Sequence, residues 1–214
     1  NIENKSWPES FDSFSLKKSL PLIIKSGSIF GKINQSIANL LGTNEHLLLI
    51  SGTTDSNAAF IAAQVKENEG LTILGTTIVL KKIIKKTFNH PGITMHKVNG
   101  DLICGGSSNA GCGVLSNFFS DLEIEELSQQ INPRKKTALN YLPLNSQGER
   151  FPTNDPFLKP IIKPRPVSDA LFLQGLLEGL ARIELKGWLK LKSFTGYLPK
   201  TIITIGGGSK NPQW

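Results

Sequence analysis

Cysteine is scarce. Cys104 and Cys112 are the two present in 214 residues, too few for a disulfide scaffold and without the CxxC spacing of a zinc site. Long apolar runs are also missing. Stretches such as Leu47 to Ile50 and Leu71 to Leu74 fall far short of the roughly 20 residues that cross a bilayer, and the opening residues do not have the form of a secretory signal. A reducing, cytoplasmic setting with no membrane partner is therefore expected. Two nucleotide signatures are absent, the GxGxxG of a Rossmann turn and the GxxxxGK[ST] of a P-loop. The three histidines, His46, His90 and His96, do not cluster in sequence, which favours solvent-facing or structural roles for each.

What is present is a globular composition, 39% hydrophobic and 19% charged, enough for one sizeable core or two small ones. The net charge of +7 is densest at Lys81, Lys82, Lys85 and Lys86, which raises the question of a polyanionic partner. No aromatics interleave these lysines, and no zinc-finger or RNA-binding signature accompanies them. They are expected to blunt a solvated sheet edge or hairpin end, with no nucleic-acid partner.

The sequence starts at Asn1 without a methionine and passes through an irregular Ser- and Pro-containing stretch from Trp7 to Leu22, as if in the middle of something longer. A short helix is expected over 36–41, followed by a buried strand over 46–50 that ends in Ser51-Gly-Thr-Thr-Asp55. Ala58, Ala59, Ala62 and Ala63 then make a helix able to pack closely on a sheet, and strand, glycine turn and helix form a unit of an α/β fold. The polar stretch Glu67 to Gly70 marks a domain boundary, giving domains 1–69 and 70–214. Beyond it, hairpins are predicted over 71–80 and 96–104, the second turning on Asn99-Gly100. A helix running to Phe119 and an acidic helix over 121–131 follow. A long Pro-rich connection spans 133–166 with one strand at 141–144. Ser168 caps a helix whose Leu173, Leu176, Leu177, Leu180 and Ile183 form one apolar stripe. Thr201 to Ile205 make a strand running into Gly206-Gly207-Gly208, and a helix is expected to begin there.

Three segments can carry chemistry, each beside a plainer reading. Asp55 suits a helix N-cap, and equally a carboxylate that accepts a proton from a bound hydroxyl. Gly75-Thr76-Thr77 is a tight turn, or a backbone cradle for phosphate. Gly206-Gly207-Gly208 is a close packing turn, or the floor of a nucleotide pocket. Trp7, Trp188 and Trp214 are expected to pack, although Trp214 could stack on a purine.

Taken in order, these pieces resemble one family. SGTTDSNAAF (51–60) looks like the G-x-x-D-x-x-A-A segment of the FGGY carbohydrate kinases, LGTTIVLK (74–81) like their LGTS-type phosphate turn, and IGGGSKNPQW (205–214) like their GGG-[AS]-K-x-x-x-W adenine loop. LPLIIKSGSIFGKI (20–33) and GERFPTNDPFLKP (148–160) also resemble family segments, and the nearest look is to the cyanobacterial and plant D-ribulose or xylulose-like kinases. The resemblance implies an α/β, actin-like ATPase (ribonuclease H-like) fold, with the chain covering the end of the first domain and most of the second. It implies ATP-dependent phosphorylation of a sugar hydroxyl, with Mg²⁺ bridging the phosphates. It also implies that Asp55 is the base, that Thr76 contacts the γ-phosphate, that Gly106 lines the phosphate side, and that Gly207, Gly208, Asn211 and Trp214 hold adenosine.

The departures are specific. The family's opening D-x-G-T/S phosphate loop is not in this sequence, nor is the segment that follows the GGG loop, and Ala110 stands where relatives can offer a polar nucleotide contact. A chain truncated at both ends and inactive by itself is the resulting expectation. The alternatives are an actin-like ATPase of another kind, or a degenerate nucleotide-binding regulatory module.

Overall fold

The structure, a computed structural model, describes residues 6–13 and 15–214. These residues form two compact units that meet in sequence between Ala58 and Ala59. In the first, two 3₁₀ turns, Glu9–Phe11 and Ser15–Ser19, precede β1 (Ile29–Lys32), α1 (Gln35–Leu41) and β2 (Leu48–Ile50). The α1 helix starts where expected because the Asn34 side chain accepts the Ser36 N–H at 2.9 Å, and it stops at Gly42 in the left-handed conformation. β1 and β2 pair antiparallel through a bulge near Ile29. The expected buried strand is instead exposed along its length. A two-stranded ribbon has no second layer to bury its faces, and neither hydrophobic cluster of the described residues reaches back before Phe60.

α2 (Asp55–Ala62) runs across the break between the units. The second unit is built on β3 (Glu69–Leu74), β4 (Ile78–Ile84), β5 (Ile93–Val98), β6 (Asp101–Ser107) and β7 (Thr201–Ile205), with α3 (Cys112–Leu115), α4 (Asp121–Ser128) and α5 (Asp169–Thr195). The sheet order is β5-β6-β4-β3-β7; every pairing is antiparallel except β3 with β7. Both predicted hairpins are present, and Asn99 and Gly100 adopt positive φ at the second turn as a primed two-residue turn requires. One sheet face packs Leu74, Ile78, Leu80 and Ile84 against the α5 stripe of Leu173, Leu176, Leu177, Leu180 and Ile183, all buried. The opposite face buries Phe60, Val65, Leu71, Val98 and Ile103. Trp188 packs as expected, its indole N–H donating to Thr72 Oγ1 at 3.2 Å, while that hydroxyl donates to Glu184 at 2.6 Å.

Elsewhere the elements are shorter than the sequence pattern implies. The helix expected to reach Phe119 ends at Leu115, and α4 ends at Ser128. The 141–144 strand reduces to one bridge, Leu142 with Ile161. There the chain spends its backbone groups on α5 side chains instead. Thr137 N–H bonds Glu178 at 2.8 Å, and Arg182 donates to the Leu139 carbonyl at 3.1 Å. At the chain's end a 3₁₀ turn, Gly207–Lys210, replaces the expected helix.

The lysine cluster divides: Lys85 and Lys86 follow the end of β4, in keeping with a solvated hairpin end, whereas Lys81 and Lys82 lie within the strand and not at a sheet edge. β4 is an inner strand, and Lys81 and Lys82 are buried on its two faces while Lys85 and Lys86 are exposed. Lys82 lies beneath the end of α5. Its ammonium donates to the Tyr197 carbonyl at 2.8 Å and to Thr195 Oγ1 at 3.1 Å, and sits 3.3 Å from the Tyr197 ring centroid. Both acceptors lie at or just past the C-terminus of α5, where the helix dipole favours a cation, a placement that no hydropathy pattern would reveal.

Burial pushes the Lys82 ammonium down to about 8, against an ordinary 10.5 and despite the opposing pull of the Cys104 thiol. Above pH 8 the folded chain therefore binds fewer protons than the unfolded one, and stability rises with pH. Cys104, pushed up by burial to about 11 from 9.0, opposes this only above pH 9. Chemical denaturation should show the midpoint rising between about pH 8 and pH 9, and Lys82→Met should flatten that rise; an unchanged slope in the variant would remove Lys82 as its source.

Candidate functional site

The parallel pairing of β3 and β7 sets Ile73 opposite Ile205. The two strands therefore end at the same edge of the sheet, and the Gly75–Thr77 turn and the Gly206–Gly208 loop leave it side by side. Ligands of α/β proteins gather at such carboxyl edges, where loops supply free backbone donors. Here a cavity of about 610 Å³ opens between the glycine loop and α4, within the range of small-molecule pockets.

Four predicted residues, Gly207, Gly208, Asn211 and Trp214, line this cavity together. Gly208 is required by close approach: a Cβ there would lie 2.5 Å from Trp214, 2.8 Å from Leu74 and 3.0 Å from the Cys112 sulfur. The Asn211 amide is committed to holding the loop. Its Nδ2 donates to Ser128 Oγ at 2.8 Å, its Oδ1 accepts the Gln213 N–H at 2.9 Å, and Ser128 in turn donates to the Ile124 carbonyl. The indole N–H of Trp214 is buried with no hydrogen-bond partner among the described residues.

The opposite wall was missed by the sequence reading. It consists of Cys112 and one face of α4, where Asp121, Ile124, Glu125 and Ser128 recur at the three- and four-residue spacing of a helix face. That periodicity was available; its direction toward a cavity was not. Cys112 joins the two motifs, with its N–H on the Gly75 carbonyl at 2.8 Å and its sulfur against the Leu74 carbonyl at 3.5 Å. Burial pushes its thiol up, although the Gly208 backbone counters this, so it serves as a packing group rather than a thiolate.

Thr76 stands exposed at the tip of the β3–β4 turn, and its carbonyl accepts the Gly113 N–H at 3.3 Å. Gly106 lies outside the cavity lining, on β6, where an added Cβ would sit 2.3 Å from the Phe151 ring. Asp55 belongs to the first unit, exposed at the start of α2, with Oδ1 accepting the Ser56 N–H at 2.6 Å. Among the described residues no group of three or more His, Cys, Asp or Glu side chains could hold a metal ion, and no helix is long and apolar enough to cross a membrane.

No protein-family profile matches the chain. In sequence it is similar to a xylulose kinase of Staphylococcus epidermidis, 26% identical over 231 aligned positions that take in all of this chain and 46% of that protein. In structure it resembles ligand-bound xylulose kinase from Lactobacillus acidophilus, with TM-score 0.79, 18% identity, and coverage of 99% of this chain and 46% of that one. It also resembles Plasmodium falciparum glycerol kinase with ADP, with TM-score 0.75, 19% identity, and coverage of 100% and 45%. The chain thus spans about half the length of the relatives it matches. The expected α/β fold of actin-like ATPase type is borne out, and the resemblance to FGGY carbohydrate kinases holds in sequence and in fold.

If Asn211 and Ser128 latch the glycine loop to α4, Asn211→Ala should cost about 1 kcal/mol locally and speed amide exchange over 207–214 roughly fivefold. Hydrogen exchange read by mass spectrometry checks this. Unchanged protection would mean that the loop is held by packing alone.

Proposed function

We propose that the protein carrying this chain is a carbohydrate kinase that transfers the γ-phosphoryl group of ATP to a hydroxyl of a ketopentose such as D-ribulose or D-xylulose. The observation that carries the reading is the convergence of Gly207, Gly208, Asn211 and Trp214 on one cavity beside the Gly75–Thr77 turn. It occurs in a chain matched over its whole length by a xylulose kinase. In this reading residues 1–69 end the sugar-binding domain and residues 70–214 supply the ATP-binding domain. A setting in the cytoplasm accords with such an enzyme.

The glycine loop and Trp214 would take the adenosine, with Asn211 keeping the loop seated on α4. Thr76 would meet the γ-phosphate, and Gly106, against Phe151, would shape the phosphate side. Asp55, at the positive end of the α2 dipole, would accept the proton of the attacking sugar hydroxyl. As that O–H bond breaks, the oxygen forms a bond to Pγ and the bond from Pγ to the ADP oxygen breaks. The proton stays on Asp55 until solvent removes it. Mg²⁺ would screen the phosphates as in other phosphoryl transfers, and no residue cluster of this chain is assigned to it.

The full-length protein should therefore couple ATP consumption to D-xylulose or D-ribulose. Asp55→Ala should lower turnover by about 10²- to 10⁴-fold, as loss of a general base does, with ATP affinity held within about twofold. Turnover that survives the substitution would remove Asp55 as base. ATP binding without turnover of any sugar in the unaltered protein would favour a regulatory nucleotide-binding module instead.

A further inference from the structure

A single buried carboxylate stands behind the Gly75–Thr77 turn. Glu149, only 4% exposed, gathers four hydrogen bonds from two segments. Its Oε1 accepts the N–H groups of Asn109 at 2.8 Å, Arg150 at 2.9 Å and Phe151 at 3.3 Å, and its Oε2 accepts the Ser108 hydroxyl at 2.5 Å. Arg150 closes the same junction by donating to the Ser107 carbonyl at 2.8 Å and to Ser107 Oγ at 2.9 Å.

From there the bonds lead to the turn. Ser108 Oγ accepts the Ala110 N–H at 2.9 Å. The Ala110 carbonyl accepts the Ile78 N–H at 2.7 Å, and the Ser108 N–H donates to the Ile78 carbonyl at 2.9 Å. One step further, Cys112 and Gly113 donate to the carbonyls of Gly75 and Thr76. Gly111 fits so tightly that a Cβ there would lie 2.5 Å from the Thr76 carbonyl oxygen and 2.6 Å from Thr77 Cα. The turn is thus gripped from 108–113, and that segment is in turn seated on Glu149.

We infer that Glu149 is a positioning residue for the phosphate-contacting turn, acting through Ser108 and Ala110 to fix the backbone of Gly75–Thr77. The inference rests on the reading of that turn under Proposed function. It assigns a role to Ala110, whose side chain has no polar group to offer a nucleotide but whose backbone carries the brace. The carboxylate suits the task because an ionised acceptor makes shorter and stronger bonds than a neutral one. It also gathers three backbone donors at one oxygen, of which the Phe151 N–H is buried and would otherwise lack a partner.

The test separates the phosphate end of a nucleotide from its adenosine end. In the full-length protein, Glu149→Gln removes the charge and sets an amide donor toward the Ser108 hydroxyl, and Ser108→Ala breaks the next link with a smaller change. Affinities for ATP and AMP are measured by calorimetry, with kcat and KM for ATP alongside. Both variants should bind ATP about tenfold more weakly, the loss expected of a charged hydrogen bond. Both should keep AMP affinity within about twofold and lower kcat as well. Equal weakening of ATP and AMP, or no change in either, overturns the inference. Should Glu149→Gln fail to fold, Ser108→Ala decides alone. Thr76→Ala serves as the reference: if it weakens ATP while the brace variants leave it untouched, the brace falls and the phosphate role of the turn stands. An unaltered protein that binds no ATP overturns both.

Discussion

The parallel ladder between β3 and β7 is the constraint on which the rest of the second unit depends. Strands adjacent in the sheet yet separated by more than a hundred residues of chain can run parallel only if a long crossover returns the chain to the starting edge. α5 provides the return. It does so by burying its leucine stripe on the face formed by Leu74, Ile78, Leu80 and Ile84. Because register sets Ile73 beside Ile205, the two turns that carry the candidate site must emerge together. A slip of one residue would turn Leu71 and Leu74 to the wrong faces and separate the turns along the edge.

Within this frame several buried polar groups are met by named partners. Lys82 is met by the α5 end and Tyr197, Thr72 by Glu184 and Trp188, and Glu149 by backbone donors of two loops. An unmatched group at any of these places would cost more than the bond it lost. Their matching makes the packing specific: Thr72 and Lys82 fix where α5 lies, and Glu149 fixes the 148–151 loop against 108–109. The Trp214 indole N–H is the exception among the described residues.

Local chemistry made much of this legible. Alternating apolar residues, Asn99-Gly100, the Ser168 cap and the α5 stripe each announce their element, and the glycine loop with Trp214 announced one wall of the cavity. The misses share a physical cause, which is that partners are set by tertiary placement. Lys81 and Lys82 resembled edge lysines because nothing local tells that β4 is flanked on both sides. The 141–144 segment looked like a strand because its apolar residues could not reveal that Glu178 and Arg182 of α5 would bind the neighbouring backbone. The α4 wall and the Glu149 brace were invisible for the same reason, since the brace joins residues some forty positions apart.

The two units differ in how well each is packed. The second unit has cores on both faces of its sheet, so its turns and cavity rest on a packed base. The first unit presents Ile29, Phe30 and Leu48 to Ile50 to solvent on a two-stranded ribbon, and such a ribbon adds little stability of its own. Asp55 stands exposed at the start of α2, and Phe60, further along the same helix, belongs to the second unit's core.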